Sequence, residues 1–297
     1  MNIAVIGIGL IGGSIARDLR KNKFAGRIYG VDRQAVHCEA ALQLGLVDEI
    51  IDLDTAVTRA DLIIIAVPVD TSKLLLAEVL QKAQNGQIVT DVGSTKGGIC
   101  QAVLQHPNRG RFVAGHPIAG TENSGPGAAI EGLFQGKTGI ICNSNESDKD
   151  ALECIENIYR LLGMNLKYMD AEEHDKHIAY VSHLSHISSF ALALTVLGIE
   201  ESEKNIFDMA GSGFSSTVRL AKSSPDMWRP IFQHNSAYLE RALDEYIDQL
   251  HDFKTFIKHN KAEDIHQLMA KANDIRRILD GKVKDENSNQ INNEKTT

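Results

Sequence analysis

Short apolar runs alternate with longer amphipathic segments over the first half of the chain. The amphipathic segments, such as "TSKLLLAEVLQKA", carry apolar residues at helical spacing. The apolar runs are rich in β-branched residues, as expected of strands, and are "NIAVIG", "RIYGVD", "DLIIIAVP", "GQIVTDV", "RFVAG" and "KTGIIC". Strands that alternate with helices are typical of a doubly wound, mainly parallel sheet. We therefore predict an α/β domain over residues 1–165.

The pattern changes after residue 165, where helical spacing continues without strand-like alternation. The longest segment, "AEEHDKHIAYVSHLSHISSFALALTVL", contains no glycine or proline and predicts one long helix. Residues 166–283 are therefore predicted to form an all-helical domain. Within it, "ISSFALALTVL" is apolar on nearly every side and needs cover that one helical domain does not supply. We expect a homodimer in which the helical domains of two copies cover each other.

Composition agrees with a two-domain globular protein and limits its partners. The 297 residues are 43% hydrophobic and 24% charged, and residues 284–297 are polar enough to predict a disordered tail. A net charge of −8 does not favour a nucleic-acid partner. No uninterrupted apolar run reaches 18 residues, so no membrane partner is expected. Four widely spaced cysteines without a C-x-x-C pair indicate reduced thiols and a cytoplasmic protein.

A glycine pattern follows the first predicted strand. Gly7, Gly9 and Gly12 form G-x-G-x-x-G between that strand and a helix that opens with Leu10 and Ile11. In this context the first glycine permits a tight turn, the second lets a pyrophosphate approach the backbone, and the third lets helix and strand pack closely. The N–H groups at the helix start favour phosphate. The pattern predicts a Rossmann-type, dinucleotide-binding domain.

The second predicted strand ends at Asp32, 20 residues after Gly12. A carboxylate there can accept hydrogen bonds from the hydroxyls of an adenosine ribose and repels a 2′-phosphate, which favours NAD over NADP. The adjacent Arg33 leaves NADP open, because an arginine can receive that phosphate. After the third strand, Val67 and Pro68 are expected along the nicotinamide side of the cofactor.

Two polar side chains follow later strands and are candidates for catalysis. Ser94 lies in "DVGSTKGGI" and His116 lies in "GHPIAG". Ligands of open α/β sheets bind beyond the carboxyl ends of the strands, which is where both residues are expected. Taken alone, Ser94 could instead cap a helix and His116 could be a buried structural histidine. Together, beside a nicotinamide pocket, they predict a catalytic pair.

Four histidines on the long predicted helix raise the question of a metal site. At 3.6 residues per turn, His174 and His177 share one stripe of the helix, and His183 and His186 share another. The two pairs cannot converge on one ion from a straight helix. We therefore predict no metal.

Five segments of the chain, taken in order, resemble one family. They are "GIGLIGGSIA", "DVGSTK", "GHPIAGTENSGP", "VSHLSH" and "GSGFSSTVRLA", and the similarity runs from the first strand to at least Trp228. In these segments the chain resembles the prephenate dehydrogenases. The resemblance implies NAD-dependent oxidative decarboxylation of prephenate, a small molecule, to 4-hydroxyphenylpyruvate in tyrosine biosynthesis.

The resemblance also implies roles for individual side chains. His116 accepts the proton of the substrate hydroxyl, and Ser94 bonds to the same oxygen or to His116. Arg219 binds a substrate carboxylate, with a surface salt bridge as its alternative. The other implied substrate contacts are His186, Thr121, Ser182 and Trp228. Core packing is the alternative for Trp228, and Glu122 is a gate or a structural partner.

Other functions remain open on the sequence. Arogenate, which has an amine in place of the keto group, could be the substrate, alone or together with prephenate. A β-hydroxyacid dehydrogenase would need a lysine base on the long helix, where Lys176 is the candidate. A non-catalytic NAD-binding regulatory protein would need only the nucleotide site. Ser215 and Ser216 stand where the family often has a basic residue and an aspartate, which leaves substrate choice open.

Overall fold

The structure is a computed structural model of the chain and describes residues 1–84, 86–200, 203 and 205–279. These residues fall into two compact units, of which the first is Met1–Ala242 and the second begins at Leu243. The predicted tail, residues 284–297, lies outside the described residues.

In the described part of the first unit, eight strands form one sheet. They are β1 (Asn2–Ile6), β2 (Arg27–Val31), β3 (Glu49–Ile50), β4 (Leu62–Ile65), β5 (Ile88–Asp91), β6 (Phe112–Pro117), β7 (Thr138–Cys142) and β8 (Asn165–Met169). Their order is β3-β2-β1-β4-β5-β6-β7-β8. Strands β1 to β6 are parallel, β7 is antiparallel to β6, and β8 is parallel to β7. The predicted mainly parallel sheet is confirmed.

Helices follow the strands of this sheet and cover its core. They are α1 (Leu10–Lys21), α2 (Ala35–Gln43), α3 (Leu53–Arg59), α4 (Val69–Lys82), α5 (Gly97–Ala102) and α6 (Lys149–Leu161). Side chains alternate across each strand, so Ile3 and Val5 of β1 pack in one apolar cluster while Ala4 and Ile6 pack in another. Strands β4 and β5 are buried throughout, as expected when both faces of a parallel sheet are covered.

A continuous helical stretch begins at Ala171, as the sequence predicts. It consists of α7 (Ala171–Ile178), a π-helical turn (Ala179–His183) and α8 (Leu184–Glu200). The Asp170 carboxylate caps its start by accepting hydrogen bonds from the backbone N–H groups of Glu172 and Glu173. The later helices are α9 (Ser212–Thr217), α10 (Pro225–His234), α11 (Ser236–Lys258), α12 (Ala262–Ala272) and α13 (Ile275–Leu279). The all-helical second half is confirmed, whereas the π turn, a feature frequent at functional sites, is not predicted by the apolar spacing.

The last strand crosses the predicted domain boundary. Strand β8 continues the sheet to Met169, past residue 165 where the sequence predicts that the helical domain begins. Its residues "NLKYM" are exposed or half-buried, because β8 forms one edge of the sheet. Its apolar pattern is therefore weak, and the sequence does not reveal it. The division into residues 1–165 and 166–283 stays a prediction.

Several apolar side chains of the helices lie exposed. On α8 and the turn before it, Leu194 is 69% and Val181 is 74% exposed. In the second unit, Ile257 and Ile278 are 62% and 61% exposed. Within the part of the chain that the structure describes, one helix, Ala171–Glu200, is long and apolar enough to cross a membrane, judged by length and composition alone.

Candidate active site

His116 lies at the carboxyl end of β6 and is buried, with 8% of its surface exposed. The residue before it must be a glycine, because a Cβ on Gly115 would lie 2.4 Å from the Tyr159 Oη and 2.9 Å from the backbone oxygen of Asp91. The strand therefore passes very close to its neighbours just before His116. Tight packing fixes the position from which the imidazole projects.

The His116 ring belongs to a hydrogen-bonded row that we call the His–His–Asp chain (His116, His174, Asp175). The Nδ1 of His116 lies 2.8 Å from the Nε2 of His174, and the Nδ1 of His174 lies 2.8 Å from the Oδ1 of Asp175. A carboxylate can only accept, so the Nδ1 of His174 carries a proton. In a neutral His174 ring the Nε2 then accepts a hydrogen bond from the Nδ1 of His116. In neutral His116 the Nε2 therefore keeps its lone pair and can act as a base.

Asp175 is held rigidly at the end of this chain. Its Oδ1 accepts a hydrogen bond from the backbone N–H of Lys96 at 2.7 Å, and its Oδ2 accepts one from the backbone N–H of Gly97 at 2.8 Å. The backbone oxygen of Asp175 accepts a further bond from the Asn235 amide at 2.7 Å. The start of α5, the middle of α7 and the residue that follows α10 thus meet behind His116.

A buried ion pair also anchors the exit of β6. Lys96 and Asp91 are both fully buried, and the Lys96 ammonium donates hydrogen bonds to the Asp91 carboxylate and, at 2.7 Å, to the backbone oxygen of Gly115. The Oδ1 of Asp91 accepts from the backbone N–H of Gly115 at 3.3 Å. Both peptide groups that flank Gly115 are therefore fixed, which restrains the backbone of His116.

The environment keeps His116 neutral. Burial lowers the pKa of His116 well below its usual value, and the neighbouring His174, Lys96 and His183 lower it further. At neutral pH the imidazole is therefore unprotonated. An unprotonated Nε2 at a strand exit is suited to accept a proton.

Ser94 lies close in sequence to this network without joining it directly. It is half-buried in the segment between β5 and α5, and the N-cap of α5 is Lys96 rather than Ser94. Among the described residues, the hydrogen bond of the His116 ring goes to His174. The implied contact between Ser94 and a substrate oxygen stays a prediction.

The glycine turn has the geometry that a dinucleotide requires. Gly7 has φ +91°, and a Cβ there would lie 2.4 Å from the backbone oxygen of Ala66, just before Val67. A Cβ on Gly12 would lie 2.2 Å from the backbone oxygen of Gly7, so both positions exclude side chains by protein packing. A Cβ on Gly9 would meet nothing within 4 Å, which leaves its surface open to a ligand.

Other predicted cofactor residues surround this turn. Leu10 and Ile11 begin α1, and Pro68 is the N-cap of α4. The Asp32 carboxylate accepts hydrogen bonds from the backbone N–H groups of Ile8 at 3.1 Å and Gln34 at 2.9 Å. Arg33 is exposed beside Asp32. These backbone bonds hold the carboxylate at the end of β2, where a ribose would reach it.

His37, a residue that sequence reasoning missed, also lies at Asp32. Its Nδ1 lies 3.5 Å from the Oδ2 of Asp32. It lies in the first turn of α2, and the glycine pattern gives no signal for it. An imidazole here adds a second basic group, beside Arg33, at the ribose position.

A row of aromatic rings continues from the His–His–Asp chain. Asn235, which bonds to Asp175, lies with its amide nitrogen 3.1 Å from the Nδ1 of His183. The His183 ring meets Trp228 edge to face, with ring centroids 5.9 Å apart at 80°. His186 stacks on Trp228, with centroids 3.5 Å apart at 27°. Trp228 therefore packs within its own chain and is 7% exposed.

His186 is oriented by the helix that carries it. Its Nδ1 lies 3.0 Å from the backbone oxygen of Ser182 and donates a hydrogen bond to it, since a carbonyl can only accept. Burial lowers the pKa of His186 and outweighs this hydrogen bond. The side chain is neutral, and its Nε2 is an acceptor. Ser182, predicted as a substrate contact, is half-buried.

Arg219 forms an ion pair with Glu122, which lies in the segment after β6. Its guanidinium donates a hydrogen bond to the Oε2 of Glu122 at 2.8 Å, and the Arg219 side chain is 51% exposed. Thr121, next to Glu122, is half-buried, and its hydroxyl accepts from the backbone N–H of Asn123 at 3.2 Å. The predicted carboxylate-binding arginine thus has a carboxylate partner within its own chain.

The largest omission of the sequence analysis is the support behind His116. His174 was weighed there only as a metal ligand, and Asp175, Lys96 and Asn235 were not singled out. In the described residues no three His, Cys, Asp or Glu side chains are arranged to hold a metal ion. The available signal was the adjacent pair "HD" one turn into a capped helix, because two neighbouring polar residues that become buried each need a hydrogen-bond partner.

The parallel sheet and the glycine turn define a nucleotide-binding protein of the Rossmann type, with a buried histidine at a neighbouring strand exit. A family model described as "Prephenate dehydrogenase, nucleotide-binding domain" matches residues 15–168, and one described as "Prephenate dehydrogenase, dimerization domain" matches residues 170–271. The chain belongs to the prephenate dehydrogenase family. Membership sets aside the β-hydroxyacid dehydrogenase with Lys176 as base and the non-catalytic binding protein.

Individual relatives agree with this membership. A prephenate dehydrogenase of Bacillus subtilis is 35% identical over 92% of this chain and 75% of its own. A cyclohexadienyl dehydrogenase of Zymomonas mobilis is 31% identical over 86% and 88%. Among solved structures, Aquifex aeolicus prephenate dehydrogenase in complex with hydroxyphenyl propionate and NAD+ has a TM-score of 0.84, 32% identity, and coverage of 94% and 98%. Synechocystis arogenate dehydrogenase has a TM-score of 0.74, 30% identity, and coverage of 94% and 100%.

Proposed function

We propose that the protein oxidises and decarboxylates prephenate to 4-hydroxyphenylpyruvate with NAD, in tyrosine biosynthesis. The observation that carries this proposal is the free Nε2 of a buried, neutral His116 at a strand exit, held by the His–His–Asp chain. Family membership supplies the reaction class, and the geometry supports His116 as the group that takes the proton.

The chemistry requires a proton acceptor and anchors for two anionic groups. The nucleotide site would hold NAD, which would supply the hydride acceptor for the carbon that bears the ring hydroxyl. The hydroxyl proton would pass to the Nε2 of His116, and the electron pair of the bond to the ring carboxylate would enter the ring as carbon dioxide leaves. The imidazolium would then return the proton to the phenolate oxygen, which gives 4-hydroxyphenylpyruvate. His174 and Asp175 stabilise the resulting imidazolium, because the His116 Nδ1–H stays hydrogen-bonded to His174. General base help of this kind contributes about 10²–10⁴-fold to the rate.

The residues at the glycine turn fit a dinucleotide. Gly9 is open where a pyrophosphate would approach, and the N–H groups at the start of α1, near Leu10, Ile11 and Gly12, favour its charge. Asp32 would accept hydrogen bonds from the ribose, and its charge favours NAD over NADP. The NAD+ bound to the A. aeolicus relative supports this choice.

The side chains beyond His116 would bind the substrate. Arg219 would hold a carboxylate, and Ser94 would bond to the oxygen that becomes the phenol. The remaining proposed contacts are His186, Ser182, Thr121 and Trp228. Val67 and Pro68 would line the nicotinamide side of the pocket.

Arogenate is a second candidate substrate. Two relatives favour it: the Zymomonas mobilis protein is named for cyclohexadienyl compounds, and the Synechocystis protein is named for arogenate.

One assay separates the candidates: the absorbance of reduced nicotinamide is followed with NAD or NADP, each with prephenate or arogenate. We expect the highest kcat/KM with NAD and prephenate. Absence of turnover with either substrate would contradict the proposed function, and a preference for NADP would contradict the role of Asp32.

The turnover of prephenate should fall at acid pH. His116 must be neutral to accept a proton, and its environment lowers its pKa well below the usual value of 6.5. Activity should therefore persist through pH 6.5 and decline only at a lower pH, as the imidazole becomes protonated. A profile of kcat against pH tests this, and a midpoint at or above 6.5 would contradict the environment described for His116.

We also propose that the protein is a cytoplasmic homodimer. The exposed apolar side chains of α8, and Ile257 in the second unit, fall within the match to a dimerization domain, and the four cysteines are free. Light scattering in detergent-free buffer should give the mass of two chains at micromolar concentration. A monomer, or a protein that stays in solution only with detergent, would contradict this proposal.

A further inference from the structure

Two buried N–H groups near His116 have no hydrogen-bond acceptor among the described residues. They are the Nε2 of His183 and the Nε1 of Trp228. His183 is fully buried, and Trp228 is 7% exposed. Buried polar groups are nearly always hydrogen-bonded, so a pair of orphans in one place points to a ligand.

Both nitrogens are donors. The Asn235 amide nitrogen donates to the backbone oxygen of Asp175 at 2.7 Å, which fixes its orientation, and it faces the Nδ1 of His183 at 3.1 Å. That Nδ1 must accept, so the proton of neutral His183 is on Nε2. Burial lowers the pKa of His183 to about 4, which keeps the ring neutral. The indole nitrogen of Trp228 can only donate.

The contact between the two rings does not satisfy both groups. They meet edge to face, with centroids 5.9 Å apart at 80°. In an edge-to-face pair, the edge of one ring points at the face of the other. Only the N–H on that edge can donate to the π system of the facing ring, so the contact satisfies at most one of the two N–H groups. At least one buried donor still lacks a partner.

Contacts connect the two donors to the His–His–Asp chain on one side and to the neighbourhood of Arg219 on the other. On one side, His183 is joined through Asn235 to Asp175 and so to the His–His–Asp chain. On the other side, Trp228 stacks on His186, and the charge of Arg219 lowers the pKa of His186. A cyclohexadiene with its hydroxyl at His116 and a carboxylate at Arg219 would place its side chain along this row.

We propose that the N–H groups of His183 and Trp228 form a donor pair for the α-keto oxygen of the substrate side chain. This inference rests on the proposed function and deepens it, because it predicts a preference for prephenate over arogenate. A keto oxygen accepts from both donors, whereas an ammonium can only donate and is opposed by them and by the nearby Arg219. The Nε2 of His186 offers arogenate an acceptor, so the donor pair lowers the use of arogenate without excluding it.

The variant Trp228→Phe tests the pair by kinetics. Phenylalanine keeps an aromatic ring for His186 to stack on and removes the N–H. We expect kcat/KM for prephenate to fall about 3- to 10-fold, the value of one hydrogen bond, while that for arogenate changes little. Phe232→Leu is the matched control, since Phe232 packs on Trp228 with ring centroids 5.4 Å apart and both donors stay. It should leave the ratio of the two kcat/KM values unchanged.

The wild-type protein allows a second test that does not depend on a variant. Trp228 is the only tryptophan, so the chain gives one indole N–H signal in a ¹H–¹⁵N spectrum. With NAD present, 4-hydroxyphenylpyruvate should move this signal downfield, and tyrosine, its amino counterpart, should move it less. Equal shifts with the two ligands, or an unchanged ratio in Trp228→Phe, would overturn the donor pair even if prephenate is turned over. Absence of prephenate turnover would instead contradict the proposed function itself.

Discussion

Replacing His116 with asparagine should lower kcat for prephenate by about 10²–10⁴-fold and change NAD affinity little. The His116 Nε2 is the group that would take the substrate proton, and asparagine has no basic nitrogen. Its amide can still donate a hydrogen bond to the Nε2 of His174, so the rest of the His–His–Asp chain keeps a partner. Steady-state kinetics at neutral pH and NAD titration by fluorescence measure the two quantities.

The matched control for this variant is another histidine of the same region. His177→Asn removes an exposed imidazole from α7, three residues after His174, and should leave kcat unchanged. If His116→Asn retained kcat within a few-fold of the wild type, His116 would not be the base. If it lost NAD binding in proportion to kcat, the change would report on the fold of the nucleotide site instead.

The sheet and the nucleotide site were predictable from the sequence because local rules govern them. Strand "LIII" is apolar throughout since both of its faces are covered, and Gly7 and Gly12 are glycines because backbone atoms occupy the place of a Cβ. Strand β8 was not predictable in this way. It lies at the edge of the sheet, and its partial exposure removes the pattern that marks the central strands.

The support of His116 depends on contacts that sequence spacing cannot show. His174 reaches His116 from a position 58 residues later in the chain, and the backbone of Lys96 reaches Asp175 across 79 residues. Hydrophobic periodicity indicates the face of a helix on which a residue lies. It does not indicate which strand that face will pack against in the folded protein. The four histidines of the long predicted helix therefore raised only the question of a metal site, whereas the fold makes His174 a hydrogen-bond partner of His116.

Replacing Arg219 with alanine should raise KM for prephenate by about 10- to 40-fold and lower kcat much less. A hydrogen bond to a charged group is worth about 1.5–3 kcal/mol, and the 51% exposure of the Arg219 side chain in the chain alone argues for the lower part of that range. A bond made equally in the ground state and the transition state changes KM rather than kcat. Initial rates over a wide range of prephenate concentrations measure both.

Variants of Glu122 distinguish an Arg219 that binds the substrate from one that only forms a salt bridge within its own chain. If Arg219 binds a substrate carboxylate, Glu122 competes for the same guanidinium, and Glu122→Gln should leave KM unchanged or lower it. If the arginine only holds Glu122, the two single variants should raise KM equally and the double variant should add nothing.

Arg219→Lys completes the series, because lysine keeps the charge and loses the planar fork that binds a carboxylate with two bonds. It should give a KM between those of the wild type and Arg219→Ala, and a KM equal to that of the alanine variant would show that the fork, not the charge, holds the substrate.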